Sequence, residues 1–275
     1  MKRNHQCKYT IDEEKKIISD YLAGGSMASV GKKWNIDPST VMNILRAYNV
    51  PARTLSQARR NACSYQINET VFENIDTRDK AYWLGVMYTD GYICKANPYT
   101  HYFGLTVKST DIEWLEKFQK FLEATTTIKT YKHTIGSFAP DNFYSRLLVG
   151  NNKIVSDLEK HGVVERKTFL IKSIPDILYK DDFVRGVVDG DGSLRKTHPE
   201  IRISGGEEFL KDIGEYLGYP YHITPDKTIF CLRFPGQAIS KKLENRLYNG
   251  ANYYLDRKYN LAKRSFISPF TSEDV

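Results

Sequence analysis

Hydrophobic and polar positions change period several times along this chain. Between residues 10 and 50 the apolar residues recur at helical spacing. Ile17, Ile18, Tyr21 and Leu22 form one stripe, Met27, Val30 and Trp34 a second, and Val41, Ile44 and Leu45 a third. Thr10 or Asp12 can cap the first helix, with Glu13 and Glu14 in its first turn near the positive helix end, and Gly24 and Gly25 can stop it. Ser26 starts the second. Asp37 at the cap and Pro38 at the first helical position start the third. The pattern predicts three short helices.

Farther along, the period drops to two and then returns to 3.6. "HYFGLTVKS" and "FYSRLLVGN" alternate as strands. "DIEWLEKFQKFLEA" is an amphipathic helix with Ile112, Leu115, Phe118 and Leu122 inward, and "NKIVSDLEKHG" is another, closed by Gly162. "PEIRISG", "EEFLKDIGEYLG", "KTIFCLRFPG" and "AISKKLENRLYNG" repeat the same succession. The predicted class is α+β, preceded by a small all-α region.

Two stretches repeat more closely. "YWLGVMYTDGYI" at 82–93 matches "FVRGVVDGDGSL" at 183–194 without a gap, pairing Gly85 with Gly186, Asp90 with Asp191 and Gly91 with Gly192. "ERKTFLI" at 165–171 returns as "DRKYNLA" at 256–262. Such repetition implies duplicated units with pseudo-twofold symmetry. Asp76, Thr77 and Asp79 in one copy, and Asp181 and Asp182 in the other, are helix-start residues. Ala81, Gly85 and Thr89 lie on one stripe, as do Gly186 and Gly190, so two helix backbones can approach closely. Gly91 and Gly192 are expected in the left-handed conformation that ends a helix. Asp90 and Asp191 then become neighbours at the base of the pair. Close carboxylates repel unless a proton or a metal compensates. Oxygen-only ligands suit Mg²⁺, the site expected of two-metal phosphodiester hydrolysis. "DGDGS" alone reads as a turn. As a calcium loop it has Asp189, Asp191, Ser193 and Glu200 in phase, but Leu194 stands where a glycine makes the sharp turn.

Charge sharpens this picture. Residues 1–62 carry 11 Lys and Arg against 5 Asp and Glu, while the remainder carries 29 against 28. A basic module on a nearly neutral body suggests a polyanion-binding arm. With 19 Tyr, 13 Phe and 41% hydrophobic residues, the chain can bury a core. No stretch approaches the roughly 18–20 apolar residues of a membrane span, and "MKRNHQCKYTIDEEKK" has no apolar segment behind its charges. The four cysteines are scattered, which suggests neither a zinc site nor a disulfide framework, and an intracellular setting is expected.

The first three helices resemble the helix-turn-helix DNA-binding domain of resolvases and invertases. That resemblance assigns base contacts to Ser39, Thr40, Asn43 and Arg46 on the third helix. Arg53, Arg59 and Arg60 in "VPARTLSQARR" are expected to follow phosphates or a minor groove. The alternative is a three-helix packing domain without nucleic acid. "WLGVMYTDG" and "VRGVVDGDG" resemble the two motifs of a single-chain LAGLIDADG homing endonuclease. The resemblance implies a tandem pseudo-twofold αββαββα fold with two antiparallel saddle sheets on double-stranded DNA. It implies Mg²⁺ (or Mn²⁺) as cofactor, double-strand cleavage leaving 3′ overhangs, and a monomer. Asp90 and Asp191 would bind the metals, with Gly91 and Gly192 adjoining.

Lys167 and Lys258, in the matched "RKT" and "RKY", are the expected basic residues beside each centre, with surface lysines as the duller reading. Lys108 is the expected polar residue on a strand, and its partner reads as Ile203, with Ser204 or Arg202 as substitutes. Base-contact candidates on the sheets are Lys129, Lys132, Arg146, Arg195, Lys196, Arg202 and Arg233, with Tyr131 and Tyr144 between. Expected boundaries are 1–55 for the helical domain, 56–72 for a basic linker, and 73–173 and 174–275 for the two repeats. A non-cleaving DNA-binding regulator and an RNA maturase are the alternative functions.

Overall fold

The computed structural model describes residues 9–54, 57, 65–132, 143–165, 167 and 170–266. The chain divides into two compact units, Met1–Ser64 and Tyr65–Val275. Among the described residues no helix is long and apolar enough to cross a membrane.

The smaller unit holds α1 (Ile11–Leu22), α2 (Met27–Trp34) and α3 (Pro38–Ala47). Thr10 caps α1 and forms a capping box with Glu13, Ser26 caps α2, and Asp37 with Pro38 opens α3. Ile17, Ile18, Tyr21, Val30, Val41, Ile44 and Leu45 form its core. Two polar groups tie the helices together. Tyr48 donates to the buried Glu14 at 2.6 Å, and Asp20 accepts from Trp34 Nε1 at 2.7 Å and from Lys33 at 2.8 Å. The α2–α3 turn is tight, because a Cβ on Gly31 would meet the Ile36 carbonyl at 2.6 Å and Asn35 adopts the left-handed conformation with φ 51°.

The larger unit runs αββαββα twice. The first half comprises α4 (Arg78–Tyr88), β1 (Gly91–Asn97), β2 (Thr100–Lys108), α5 (Ile112–Phe121), β3 (Lys129–Lys132), β4 (Phe143–Gly150) and α6 (Asn152–Lys160). The second comprises α7 (Lys180–Asp191), β5 (Gly192–Leu194), β6 (Ile201–Gly205), α8 (Glu207–Leu217), β7 (His222–Asp226), β8 (Ile229–Arg233) and α9 (Gln237–Tyr248), followed by α10 (Asp256–Ala262). Each half forms a four-stranded antiparallel sheet, in the orders β1-β2-β4-β3 and β5-β6-β8-β7. This is the expected α+β class. Strand alternation buries Phe103, Leu105, Val107, Leu147 and Val149 in one half and Ile201, Ile203 and Leu232 in the other.

α4 and α7 lie at the centre. Residues Ala81–Tyr88 of α4 are all buried, so this helix is enclosed on every side. The small-residue stripe makes that possible. A Cβ on Gly85 would strike the Phe183 carbonyl, and one on Gly186 the Tyr82 carbonyl. The two backbones touch where those glycines cross.

Asp189 gives this junction a buried polar lock. Its carboxylate accepts from Tyr82 OH at 2.8 Å, Tyr248 OH at 2.7 Å and the Leu255 N–H at 2.8 Å, and Trp114 Nε1 donates to Tyr82 OH at 2.7 Å. Beside it Arg185, also buried, pairs with Asp182 at 2.7 Å and donates to the Leu247 and Tyr253 carbonyls. Both carboxylates of this junction, Asp189 and Asp182, have donors, as a buried charge requires.

Several expectations change. Tyr65–Phe72, assigned to the linker, belong to the larger unit, where Val71 and Phe72 are buried. Asp181 and Asp182 do stand in the first turn of α7, as expected of helix-start residues, and they also pair with Arg246 and with Arg78 and Arg185. On α5 the fully covered positions are Trp114, Leu115 and Phe118, with Ile112 only half-buried. Gly91 and Gly192 are not left-handed: Gly192 has φ −92° and ψ 170°, and each glycine is the first residue of a strand. They are glycines for want of space, since a Cβ would collide with Met87 Cα or Val188 Cα.

Gly85→Ala is expected to lose roughly 1–3 kcal/mol by overpacking, read from the midpoint of urea unfolding. Gly205→Ala, whose new Cβ would sit 3.5 Å from Leu210 in ordinary contact, is expected to stay within about 0.5 kcal/mol. Equal losses at both positions would refute a backbone crossing at Gly85.

Candidate functional site

The last carbonyls of a helix have no partner inside it. Where α4 and α7 end, no left-handed glycine folds back to satisfy them. A lysine does so instead, in both halves. Lys167 Nζ donates to the Met87 carbonyl at 2.7 Å and to the Gly91 carbonyl. Lys258 Nζ donates to the carbonyls of Val188 at 2.7 Å, Asp189 at 2.6 Å and Gly192 at 2.6 Å. Met87 and Gly91 occupy the same motif positions as Val188 and Gly192, so the two lysines are equivalent caps. A cation here also opposes the negative end of each helix dipole.

Beside these caps stand Asp90 and Asp191. Both are exposed, yet loss of bulk hydration is the largest influence on each. A recess reconciles the two facts: water reaches the oxygens, but protein fills much of their surroundings. Asp191 is pushed up to about 6, first by desolvation and then by the Asp90 charge. Asp90 is also raised by desolvation, against the pull of Lys258, Lys167 and Arg257. Burial lowers both lysines to about 8, although the two aspartates draw them upward. Four ionisable groups from both halves therefore act on one another.

This donor set fits a magnesium-like ion in one respect. Such an ion takes one or two carboxylates and keeps waters or phosphate oxygens, and the strained pair Asp90 and Asp191 offers the two carboxylates. Among the described residues no group of three or more His, Cys, Asp or Glu could hold a metal. The Gly91 and Gly192 carbonyls, expected beside the metal, already accept from the lysine ammoniums. They are poor metal ligands for that reason.

The other expected residues divide. Lys108 is exposed at the end of β2 opposite Tyr144 and is not among the main charges on either aspartate. Its expected partner changes too. Gly91 pairs with Leu105 as Gly192 pairs with Ile203, so Ile203 matches Leu105 and Lys108 matches Gly206. On the first sheet Lys129 is beside Arg146 and Tyr131 beside Tyr144, all on the face away from the core. The tyrosine rings stack 6.4 Å apart and Arg146 lies over Tyr131. Lys132 has the opposite phase: it alternates onto the side of the buried Ser145, away from Lys129 and Arg146.

On the second sheet Ser193, Arg202, Arg233 and His222 form one row across the strands. Glu200 holds Arg202 at 2.7 Å and Arg195 at 2.6 Å, which partly neutralises both. Lys196 is exposed beyond β5, its carbonyl accepting from Arg264. In the smaller unit Ser39, Asn43 and Arg46 are exposed on α3, and Thr40 is half-covered. Arg53 is committed internally, donating to the Tyr21 and Gly25 carbonyls with its guanidinium 4.2 Å from the Tyr21 ring, so it is not a free phosphate contact. Arg59 and Arg60 lie outside the described residues. Two residues near Asp90 went unread in the sequence, Arg257 and Asp111, which pair at 3.1 Å. Arg257 adjoins Lys258 in the repeated "RK", a signal that was there to use.

No protein-family model matches this chain, and no curated protein matches it. Solved structures do. Meganuclease I-SmaMI bound to uncleaveable DNA is similar over 67% of this chain and 89% of its own, at 12% identity and TM-score 0.45. A mesophilic variant of the homing endonuclease I-DmoI is similar over 72% and 99%, at 16% identity and TM-score 0.45. I-DmoI in complex with DNA and Mn is similar over 67% and 100%, at 17% identity and TM-score 0.41. Likeness at that level transfers no residue's role to this chain.

Because the fold raises the Asp191 pKa from 3.8 to about 6, it favours the protonated acid. That preference is fully present below pH 3.8 and is lost as pH rises through about 6. In chelated buffer Asp191→Asn is expected to raise Tm at pH 7 and to flatten the change in Tm between about pH 4 and 6. No gain at pH 7 would contradict the strained pair. Lys258→Met is expected to lose about 3 kcal/mol by urea unfolding, since it strands buried carbonyls; Lys167→Met, which frees fewer, is expected to lose less.

Proposed function

We propose that this chain is a divalent-metal-dependent endonuclease that cuts both strands of duplex DNA, of the LAGLIDADG homing type with an added helix-turn-helix module. One observation carries the reading. Two carboxylates 101 positions apart in the chain end abutting helices, and the charge of one raises the pKa of the other. A protein gains no stability from that arrangement, so it is most economically explained by a cation bound during function. Asp90 and Asp191 would hold it. When bound, a divalent ion supplies Lewis-acid polarisation of a phosphodiester and a lowered pKa for the attacking water.

The chain's own residues do the rest. Lys167 and Lys258 fix the two helix ends, and so the spacing of the carboxylates, and they put positive charge where a phosphate gains negative charge in the transition state. The outer faces of the sheets offer phosphate and base contacts through Lys129, Arg146, Tyr131, Tyr144, Arg202 and Arg233. On α3, Ser39, Asn43 and Arg46 form an exposed edge suited to a major groove. A second binding unit on the same chain raises affinity by tethering. Both carboxylates come from one chain, which favours a monomer, and the pseudo-twofold pair suits cuts on opposite strands that leave 3′ overhangs. The ion is Mg²⁺ or Mn²⁺, and the setting is intracellular. Retention of both acids argues against a non-cleaving regulator.

With Mg²⁺ the protein is expected to cut a randomised duplex library, and with Ca²⁺ to bind it without cutting. Asp90→Asn and Asp191→Asn are expected to lower cutting at least about 100-fold while duplex affinity stays within about threefold. Tight binding with no cutting in any ion would favour the regulator. Arg46→Ala is expected to weaken duplex binding by about tenfold, with a shallower salt dependence, and to leave the rate at saturating protein unchanged.

A further inference from the structure

The two halves are not equivalent at the site, and the difference can be counted in residues. Along the second strand of each sheet, Leu105 matches Ile203, ninety-eight positions on, because each pairs with its motif glycine. Along the following helix the buried residues Trp114, Leu115, Phe118 and Leu122 match Phe209, Leu210, Ile213 and Leu217, ninety-five positions on. The first half therefore has three extra residues between strand and helix. They are Ser109–Asp111, a single 3₁₀ turn. In the second half Gly206 leads directly into α8.

The extra turn has its own anchors. Ser109 Oγ is 3.0 Å from the buried Ser145 Oγ. Asp111, whose side chain is only 16% exposed, accepts from Arg257 Nε at 3.1 Å. Arg257 comes from the other half of the chain, one residue before the helix cap Lys258. Its guanidinium uses Nε for Asp111, and the side chain remains 59% exposed, which leaves the NH edge for an anion. A neighbouring pair also holds α10 in place: Lys117 Nζ lies 2.7 Å from Asp256 and donates to the Tyr254 carbonyl. Arg257 and Asp111 both act on the Asp90 charge, whereas neither is among the main influences on Asp191.

We propose that Arg257, aimed by Asp111 on a turn that only the first half carries, contacts a DNA phosphate on the Asp90 side of the site and makes the two strand-cutting positions unequal. Arg257 is the phosphate-contacting residue and Asp111 its positioning residue. The inference rests on the nuclease reading above. It goes beyond it by assigning a positioning group that the second half lacks: Arg257 has a repeat counterpart in Arg166, but no residue matches Asp111, because Gly206 leads directly into α8.

The test uses a duplex that the unmutated protein cuts, selected from a randomised library with Mg²⁺ and labelled on each strand in turn. Single-turnover rates are measured strand by strand. Arg257→Ala is expected to slow one strand by about tenfold, as loss of one charged phosphate contact would, with the other strand within about twofold. Asp111→Asn is expected to slow the same strand less, and Arg257→Lys to recover part of the rate. The double change Asp111→Arg with Arg257→Asp keeps an ion pair but moves the guanidinium, so Tm is expected to recover while the strand ratio does not. Equal slowing of both strands, or recovery of the ratio in the double variant, would overturn the inference and leave the nuclease reading standing. Absence of cutting by the unmutated protein would overturn both.

Discussion

The close contact of two helix backbones at Gly85 and Gly186 is the constraint on which the larger unit depends. Side chains hold most packed helices 8–10 Å apart. Here each glycine faces a carbonyl of the other helix, with no room for a Cβ. That contact brings α4 and α7 to a common end and turns two distant aspartates into neighbours. It also sets two negative helix ends side by side. Much of the surrounding chemistry compensates for that concentration of negative charge.

The compensation occurs at two depths. Asp189 is buried and accepts from two tyrosine hydroxyls and a backbone N–H; burial raises its pKa, and Lys258 and those donors oppose the rise. Asp191, two residues on, is exposed and keeps a raised pKa. One short acidic stretch thus delivers one carboxylate to structure and one to the surface. Lys258 stands between them, bonded to the carbonyls of Val188, Asp189 and Gly192. Its ammonium serves the helix end first, and its field then reaches both acids.

The sequence carried much of this, for identifiable reasons. A gapless repeat with glycines in fixed phase exposes the helix pair, and alternation exposes the strands. What it hid involves partners chosen in three dimensions. Gly91 and Gly192 look like left-handed caps because helix-end glycines commonly are; only the nearness of Met87 and Val188 shows that space is the reason. Lys132 looks like Lys129 until pairing with β4 fixes its phase. Arg53 reads as a free cation in a basic run, and the Tyr21 ring and two carbonyls that engage it come from α1 and the turn that follows it. The extra 3₁₀ turn is invisible in a fixed-offset comparison, because it changes the offset partway through the repeat.

Which features stay equal between the halves follows from what they touch. The glycines that touch backbone and the lysines that bind carbonyls occur in both. A carbonyl cannot be substituted, so its partner has no compensating change available. Side-chain partners can change together, and here they have. Tyr82 and Phe183 occupy matching positions, as do Tyr88 and Asp189. At one crossing Tyr82 donates to Asp189; at the other Tyr88 meets Phe183 edge to face, with ring centres 4.8 Å apart. Each pair is consistent within itself, and a mixed pair would not be: Asp189 opposite a phenylalanine would lose a buried donor. Symmetry is therefore kept where the partner is main chain and relaxed where it is side chain. The Asp111–Arg257 pair belongs to the second class, and for that reason the two ends of the site can share one architecture without sharing all of their charges.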